Sequence, residues 1–363
     1  MKKALFVATV DSHIELFHLP FLKLLKEKGY EIHVATESDK DIDFCDKKIK
    51  IPIKRSPFKL ISNYRAIKTL KKIITQENYS FIHCHTPVGG VVARLAGRRM
   101  RKNGLRIIYT AHGFHFYKGA PLSYWAIFYP VERYLAKHTD TLITINAEDY
   151  GRAKKKFGRR CHDIKYVHGV GIDENDHMAA KDQKQIEMTR RNIGIGKDSV
   201  VLTCLGRLDK NKNQGFLIKV LNKLNQDNKK YHLLLVGPDE LNGKYQKLAL
   251  RLGVQNNVHF LGFQDDIKPI LQISDIVVSA SRREGLPLSI LEAIIWNKPV
   301  VATDNRGHRD IIDKDNGILV KEKTIEGFAD AIKKAEITQF KGNLDKKWYL
   351  SSVIEEMKEI YEK

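Results

Sequence analysis

Two glutamates, Glu284 and Glu292, stand eight positions apart in the run SRREGLPLSILEA at 281–293. The preceding DIVVS at 275–279 is apolar and β-branched enough for a buried strand, and Leu288, Leu291 and Ile295 then recur at helical spacing. The expectation is a strand, a loop and a helix, with Pro287 in the first helical turn, where its missing N–H is not needed. The backbone around Gly285, Leu286, Pro287 and Leu288 would face whatever docks at the helix start, and the helix dipole favours a phosphate there. Glu284 lies just outside that turn and Glu292 about two turns inside it. Their carboxylates can bracket a ligand that carries both phosphate and hydroxyls, as a nucleotide-sugar does. The plainer alternative is that Glu284 complements the dipole and Glu292 is one more solvated helix residue.

A second run, GRLDKNKN at 206–213, follows another strand-like segment. Arg207 would supply a planar fork and Lys212 a point charge to one anionic ligand. The run lacks the G-x-x-x-x-G-K-[ST] pattern, so it is no ATPase-type phosphate cradle. By itself it would read as a solvated basic turn; beside Glu284 and Glu292 it completes a set able to cover a diphosphate and its attached hydroxyls.

Apolar strand-like runs alternate with amphipathic segments along the whole chain, the pattern of α/β domains built on parallel sheets. Strands are expected at 4–9, 31–36, 81–85, 107–111 and 141–146, with helices at 19–28, 63–77, 89–102 and 124–137. The alternation restarts with strands at 200–205, 232–236, 258–261, 276–280 and 299–302. Two Rossmann-like domains facing each other across a cleft follow, spanning 1–172 and 173–342. The stretch 170–196 is the linker candidate. A final helix from residue 348 lies in a segment 343–363 expected to return to the N-terminal domain. Such sheets bind ligands beyond the carboxyl ends of their strands, where both charged motifs fall.

This combination resembles the retaining glycosyltransferases of the GT-B fold, family 4, over almost the whole chain. It is most similar to the bacterial exopolysaccharide and capsule members, through HCHTPVGG at 83–90, YTAHGFHF at 109–116 and NRGHRD at 305–310. The resemblance implies that Arg207 and Lys212 neutralise the diphosphate of a nucleotide-sugar donor. It implies that Glu284 contacts donor-sugar hydroxyls and Glu292 the ribose, with the backbone of Gly285 to Leu288 on phosphate or sugar and Phe263 near the base. His112 becomes the active-site histidine, with His115 a close competitor. Front-face attack, the leaving phosphate taking the acceptor proton, is the implied route to retention; Glu284 is a weak candidate for a carboxylate nucleophile. The donor is expected to be a UDP-linked N-acetylhexosamine or hexose and the acceptor a polyprenyl-diphosphate-linked glycan.

No cofactor or metal is expected. His83 and His85 alternate on a strand and share a face, as a metal pair would, but carboxylate partners are missing. The turn after the first strand, TVDSHIE at 9–15, lacks the glycine pair that many family members place under the diphosphate, so Asp11 and His13 are expected to line the acceptor side. The same absence argues against a nicotinamide dehydrogenase, which would want G-x-G-x-x-G there.

The net charge is +20 over 363 residues, and it is uneven: residues 1–172 carry 32 Lys and Arg against 15 Asp and Glu, whereas 173–363 carry 31 against 28. A basic first half suits an anionic membrane leaflet or substrate; no nucleic-acid-binding pattern accompanies it. The aromatic run at 120–130, flanked by Lys118, Arg133 and Lys137, either seats in the membrane interface or packs into its own domain. Further cations come from Arg94, Arg98, Arg99, Arg101, Lys102 and Arg106. Residues 1–12 do not read as a secretory leader and no apolar stretch is long enough to span a bilayer. Cys45, Cys84, Cys161 and Cys204 show no paired spacing and are expected to be reduced thiols. The expectation is a cytoplasmic enzyme held peripherally at the inner face of the plasma membrane. A UDP-sugar epimerase of the same fold and a noncatalytic nucleotide-sugar-binding module are the alternatives.

Overall fold

A computed structural model describes residues 2–176, 183–226 and 231–363. The chain divides into two units, Met1–Gly171 with Leu350–Lys363, and Ile172–Tyr349. The first holds strands β1 (Lys2–Val7), β2 (Tyr30–Thr36), β3 (Lys47–Lys50), β4 (Phe81–Cys84), β5 (Arg106–Ala111), β6 (Thr141–Thr144) and β7 (Asp163–Tyr166). They form one parallel sheet in the order β3-β2-β1-β4-β5-β6-β7. Parallel neighbours need crossover connections, and most are helical: α1 (Asp11–Phe17), α2 (Leu19–Glu27), α3 (Leu60–Glu77), α4 (Pro87–Gly97), α5 (Leu122–Leu135) and α6 (Ala147–Phe157). All four residues of β4 are buried, as befits a central strand covered on both faces.

The second unit repeats the plan. Strands β8 (Val200–Leu205), β9 (Tyr231–Val236), β10 (Val258–Gly262), β11 (Ile276–Ser279), β12 (Val300–Thr303) and β13 (Gly317–Val320) form a parallel sheet ordered β10-β9-β8-β11-β12-β13. Its helices are α7 (Gln183–Ile193), α8 (Gln214–Asn225), α9 (Lys244–Arg251), α10 (Lys268–Ile273), α11 (Leu288–Ile295), α12 (Arg306–Arg309) and α13 (Ile325–Ile337). β8 and β11 are neighbours, which puts the two charged motifs side by side.

Three strands escaped the pattern, and all three are sheet edges. β3 reads KKIK and buries only Ile49, β7 reads DIKY and buries only Ile164, and β13 begins with a glycine. β3 and β7 have no apolar run to announce them, and lysine on an edge strand is a common guard against unwanted pairing, whereas β13 is only a three-residue apolar run, Ile318 to Val320, after its glycine. The expected linker also departs from its reading. Helix α7 lies inside it, with Ile186 and Ile193 against the core of the second unit, while 177–182 fall outside the described residues.

The final helix, α14, spans Leu350–Glu362. Residues 343–349 belong to the second unit instead, because Leu344 and Trp348 are buried in its core. On α14, Val353, Met357, Ile360 and Tyr361 bury against the core beside β1 and β2. The Tyr361 hydroxyl meets His83 Nδ1 at 2.9 Å, and the Arg106 guanidinium donates to the carbonyls of Ile360 and Tyr361. His168 Nδ1 pairs with Glu356 at 2.7 Å.

Candidate active site

In the second unit the site grows from two adjacent strand ends. Beyond β8 the backbone turns at Gly206, whose φ of +132° suits only glycine, and a Cβ there would sit 3.1 Å from Lys212 Cε. The Asp209 carboxylate accepts the Lys212 N–H at 2.7 Å and rounds the loop. Asn211 then ties it to the loop after β11: its Nδ2 donates to the Arg283 carbonyl at 2.9 Å and its own carbonyl accepts from Arg282 N at 2.8 Å. This brings Lys212 Nζ to 2.8 Å from Glu284 Oε1, a coulombic pair rather than an aligned hydrogen bond.

Burial pushes the Glu284 carboxyl up, but the Lys212 charge, with help from Ser281 and His308, outweighs it and holds the group below its ordinary value. Lys212 is the mirror case: burial favours the neutral amine, Glu284 opposes it, and the ammonium is held more firmly than usual. Glu292 differs. Burial, reinforced by the Asp176 charge and only partly offset by Lys212, raises its carboxyl to about 7. Among the described residues it has no hydrogen-bond or ion-pair partner, while Asp176 itself pairs with Lys268 at 2.6 Å.

Arg207 does not join Lys212. Its guanidinium is half exposed and meets Glu240 at 2.8 Å, so the two cations of one loop point to different partners. Pro287 is the residue that caps α11 rather than part of its first turn, because its ψ of 106° is extended. Leu286 and Leu288 pack on the core beneath. Phe263 follows Gly262 (φ +66°) at the end of β10 and is 70% exposed, an apolar ring offered to solvent.

The NRGHRD run, which carried no assigned role, buttresses the Glu284 loop. Asn305 caps α12 through the N–H groups of Gly307 and His308, and its Nδ2 donates to the Ser281 carbonyl at 3.1 Å. Arg306 Nε donates to the Glu284 carbonyl at 3.1 Å. Gly307 lies so close beneath that an added Cβ would stand 2.9 Å from the Gly285 oxygen and 3.0 Å from Glu284 Cβ.

In the first unit, histidines gather at the carboxyl ends of β4 and β5. His83 is structural, bonded to Tyr361 and, through Nε2, to Thr110 Oγ1 at 2.8 Å. His112 Nε2 lies 3.1 Å from His13 Nε2, and burial together with neighbouring imidazoles keeps His112 well below its ordinary value. His115 stacks on Phe128 of α5 at 4.5 Å and lines a cavity that His13 also lines. Behind the pair lie His18 and His85, stacked at 3.7 Å, with no hydrogen-bond partner among the described residues for any of their four ring nitrogens. Each unpaired buried polar atom costs about 1–3 kcal/mol.

The turn after β1 is only in part what the sequence suggested. Asp11 is buried and held by Thr36, Ser38 and the Lys48 ammonium, so its carboxylate is structural. His13 instead helps line a cavity of about 400 Å³, walled by Arg55, Val88, Ile127, Phe128 and Val131. Within the aromatic run Trp125, Phe128 and Tyr129 pack on the core, whereas Leu122, Tyr124 and Ile127 are exposed, as are Val131 and Tyr134 just beyond it. Some expected surface cations are structural as well. Arg94 is buried in a two-pronged pair with Glu132, Arg101 holds Asp140, and Arg106 holds α14.

Two Rossmann-like units, each built on a parallel sheet, are the architecture of GT-B glycosyltransferases. Structures of similar fold include the sucrose-phosphate synthase of Thermosynechococcus elongatus (TM-score 0.81, 15% identity, 100% of this chain and 98% of that one). Anabaena Alr3699/HepE, solved in complex with UDP and glucose, matches with a TM-score of 0.76 at 18% identity over 100% of both chains. In sequence, residues 185–350 match the family "Glycosyl transferases group 1" and residues 3–146 "Glycosyl transferase 4-like". The chain is 42% identical to EpsD of Bacillus subtilis (strain 168), assigned as a glycosyltransferase, over 99% of this chain and 96% of the relative. It is 25% identical to the UDP-Gal:α-D-GlcNAc-diphosphoundecaprenol α-1,3-galactosyltransferase of Escherichia coli, over 88% of this chain and 84% of that protein. The chain belongs to this family of glycosyltransferases.

Proposed function

We propose that this enzyme transfers a hexose or N-acetylhexosamine from a UDP-sugar to a polyprenyl-diphosphate-linked glycan, with retained anomeric configuration, during assembly of an extracellular or capsular polysaccharide. The observation that carries the reading is the Lys212–Glu284 pair at the β8 and β11 ends, with Glu292 unpartnered on the helix that follows. An anionic diphosphate gives Lys212 a second partner and frees Glu284 for sugar hydroxyls, while ribose hydroxyls give Glu292 the donors it lacks. Arg207 exchanges Glu240 for phosphate, and Phe263 offers a ring to the base.

In the reaction the bond between the anomeric carbon and the diphosphate oxygen breaks and a bond to the acceptor hydroxyl forms on the same face. The acceptor proton passes to the departing phosphate. Lys212, Arg207 and the N–H groups at the start of α11 meet the charge that develops on the leaving group, so transfer takes no cofactor and no metal ion. His112 organises the donor sugar. The named relatives support the class of acceptor and donor: one acts on a diphosphoundecaprenol-linked sugar and a structural neighbour holds UDP.

We also infer attachment to an anionic membrane surface by the first unit. Phe58, Leu60, Ile61 and Tyr64 are between 58% and 80% exposed, and the exposed face of α5 adds Leu122 and Ile127. Lysines and arginines at 54, 55, 59, 65 and 68 surround the former group. Among the described residues no helix is long and apolar enough to cross a membrane. Flotation with liposomes tests this: binding should require anionic lipid and weaken in Phe58→Ser/Ile61→Ser, and equal weak binding to neutral vesicles would refute it.

The test of the reaction is a panel of UDP- and GDP-sugars with a polyprenyl-linked glycan extract, Glu292→Ala as control and NMR of the product anomer. Turnover of one donor that needs the extract and fails in the variant supports the proposal. An inverted product would overturn retention, and tight UDP binding without transfer to any acceptor would overturn the reaction.

A further inference from the structure

We propose that His13, His18, His85 and His112 form a four-imidazole site for a divalent transition-metal ion of the zinc class. The observations that carry this site do not depend on the function proposed above.

Three segments deliver these side chains, those that follow β1, β4 and β5. His13 lies on α1, His18 at the junction of α1 and α2, His85 just past β4 and His112 just past β5. β1, β4 and β5 are consecutive in the sheet, so the segments leaving their carboxyl ends converge. One ring nitrogen from each histidine lies within 4.8 Å of all the others. A tetrahedral ion with metal–nitrogen bonds of about 2.0–2.1 Å needs nitrogens roughly 3.3 Å apart. The His13–His112 pair already stands at 3.1 Å, and the widest gap closes with side-chain movement of about 1.5 Å.

The inner two histidines supply the second observation. His18 and His85 are 2% and 0% exposed, yet among the described residues neither ring nitrogen of either has a hydrogen-bond partner. Buried polar atoms are ordinarily satisfied, and the neighbouring His83 has a partner on each nitrogen. An ion coordinated by the quartet would satisfy one nitrogen on each inner ring. The set contains only imidazoles, which suit Zn²⁺, Co²⁺, Ni²⁺ or Cu²⁺ and not Mg²⁺ or Ca²⁺. Entry is open, because His13 and His112 are partly exposed and His13 lines the 400 Å³ cavity.

A bound ion would take His112 Nε2 out of use. On the reading that His112 serves the donor sugar, the metal is a reversible inhibitor of transfer rather than a participant in it.

The experiment uses tag-free full-length protein stripped with chelator and titrated with Co²⁺, whose tetrahedral complexes absorb in the visible, followed by displacement with Zn²⁺. One ion per chain is expected, with affinity falling at least about tenfold in His13→Gln and in His18→Gln. The exposed His162→Gln should bind like the parent, and circular dichroism confirms that each variant is folded. Binding that is absent, or unchanged in both folded quartet variants, would overturn the site. Cobalt binding lost in those variants supports it whether or not transfer is inhibited; binding without inhibition would instead remove His112 from the reaction.

Discussion

Glu292 makes the sharpest prediction. Its carboxyl titrates at about 7 in the ligand-free protein because burial and Asp176 outweigh Lys212. If ribose hydroxyls donate to the carboxylate, the donor binds the ionised form, and protonation competes with binding. Apparent affinity should then fall about tenfold between pH 8 and pH 6, equivalent to about 1.4 kcal/mol. The assay is calorimetric titration of a UDP-sugar without acceptor, at constant ionic strength, in wild type and Glu292→Gln. The intact donor has no phosphate group that titrates in this window, so the slope belongs to the protein. Glu292→Gln should bind more weakly at pH 8 and show a flat profile. The linkage to folding has the opposite sign. A carboxyl raised above its ordinary 4.5 leaves the folded state holding more protons between pH 4.5 and 7. Stability of the ligand-free enzyme should therefore fall across that window, by at most about 3 kcal/mol, and level off above it. Parallel binding profiles in wild type and Glu292→Gln would refute the reasoning.

Three further outcomes are expected. Lys212→Met should strand the Glu284 carboxylate and lower stability by about 2–4 kcal/mol in urea denaturation, while adding Glu284→Gln restores most of the stability but not donor binding. Gly307→Ala places a methyl 2.9 Å from the Gly285 carbonyl oxygen and 3.0 Å from Glu284 Cβ, so the Glu284 loop must shift: donor affinity measured by calorimetry should drop several-fold and the thermal midpoint should fall with it. Arg94→Met should cost about 3–5 kcal/mol by leaving Glu132 unpaired between α4 and α5; the double variant with Glu132→Leu should recover most of that loss.

The two charged motifs were readable as strand–loop–helix units because each is local. The Glu284-to-Glu292 spacing, the glycine that ends β8 and the proline before α11 lie within short windows, where strand and helix periods suffice. Adjacency of β8 and β11 then turned two one-dimensional patterns into a Lys212–Glu284 pair. The same proximity could not be inferred for Arg207, whose choice of Glu240 depends on a loop beyond the neighbouring strand β9.

What the amino-acid order determined without help was the alternation of strands and helices, the restart that makes two Rossmann-like units, and the residue types at the Glu284 loop. Those follow from hydrophobic period and turn chemistry, which act between near neighbours. Tertiary structure alone decided that Asp11 is structural, that Arg94 and Arg106 are internal struts, and that the NRGHRD run supports Glu284 from below. It also chose His13, His18, His85 and His112 as one cluster while binding His83 to Tyr361. Those residues lie up to 278 positions apart, as His83 and Tyr361 do, and no periodicity relates them. Only strand order and the crossovers between strands bring such side chains within a few ångströms.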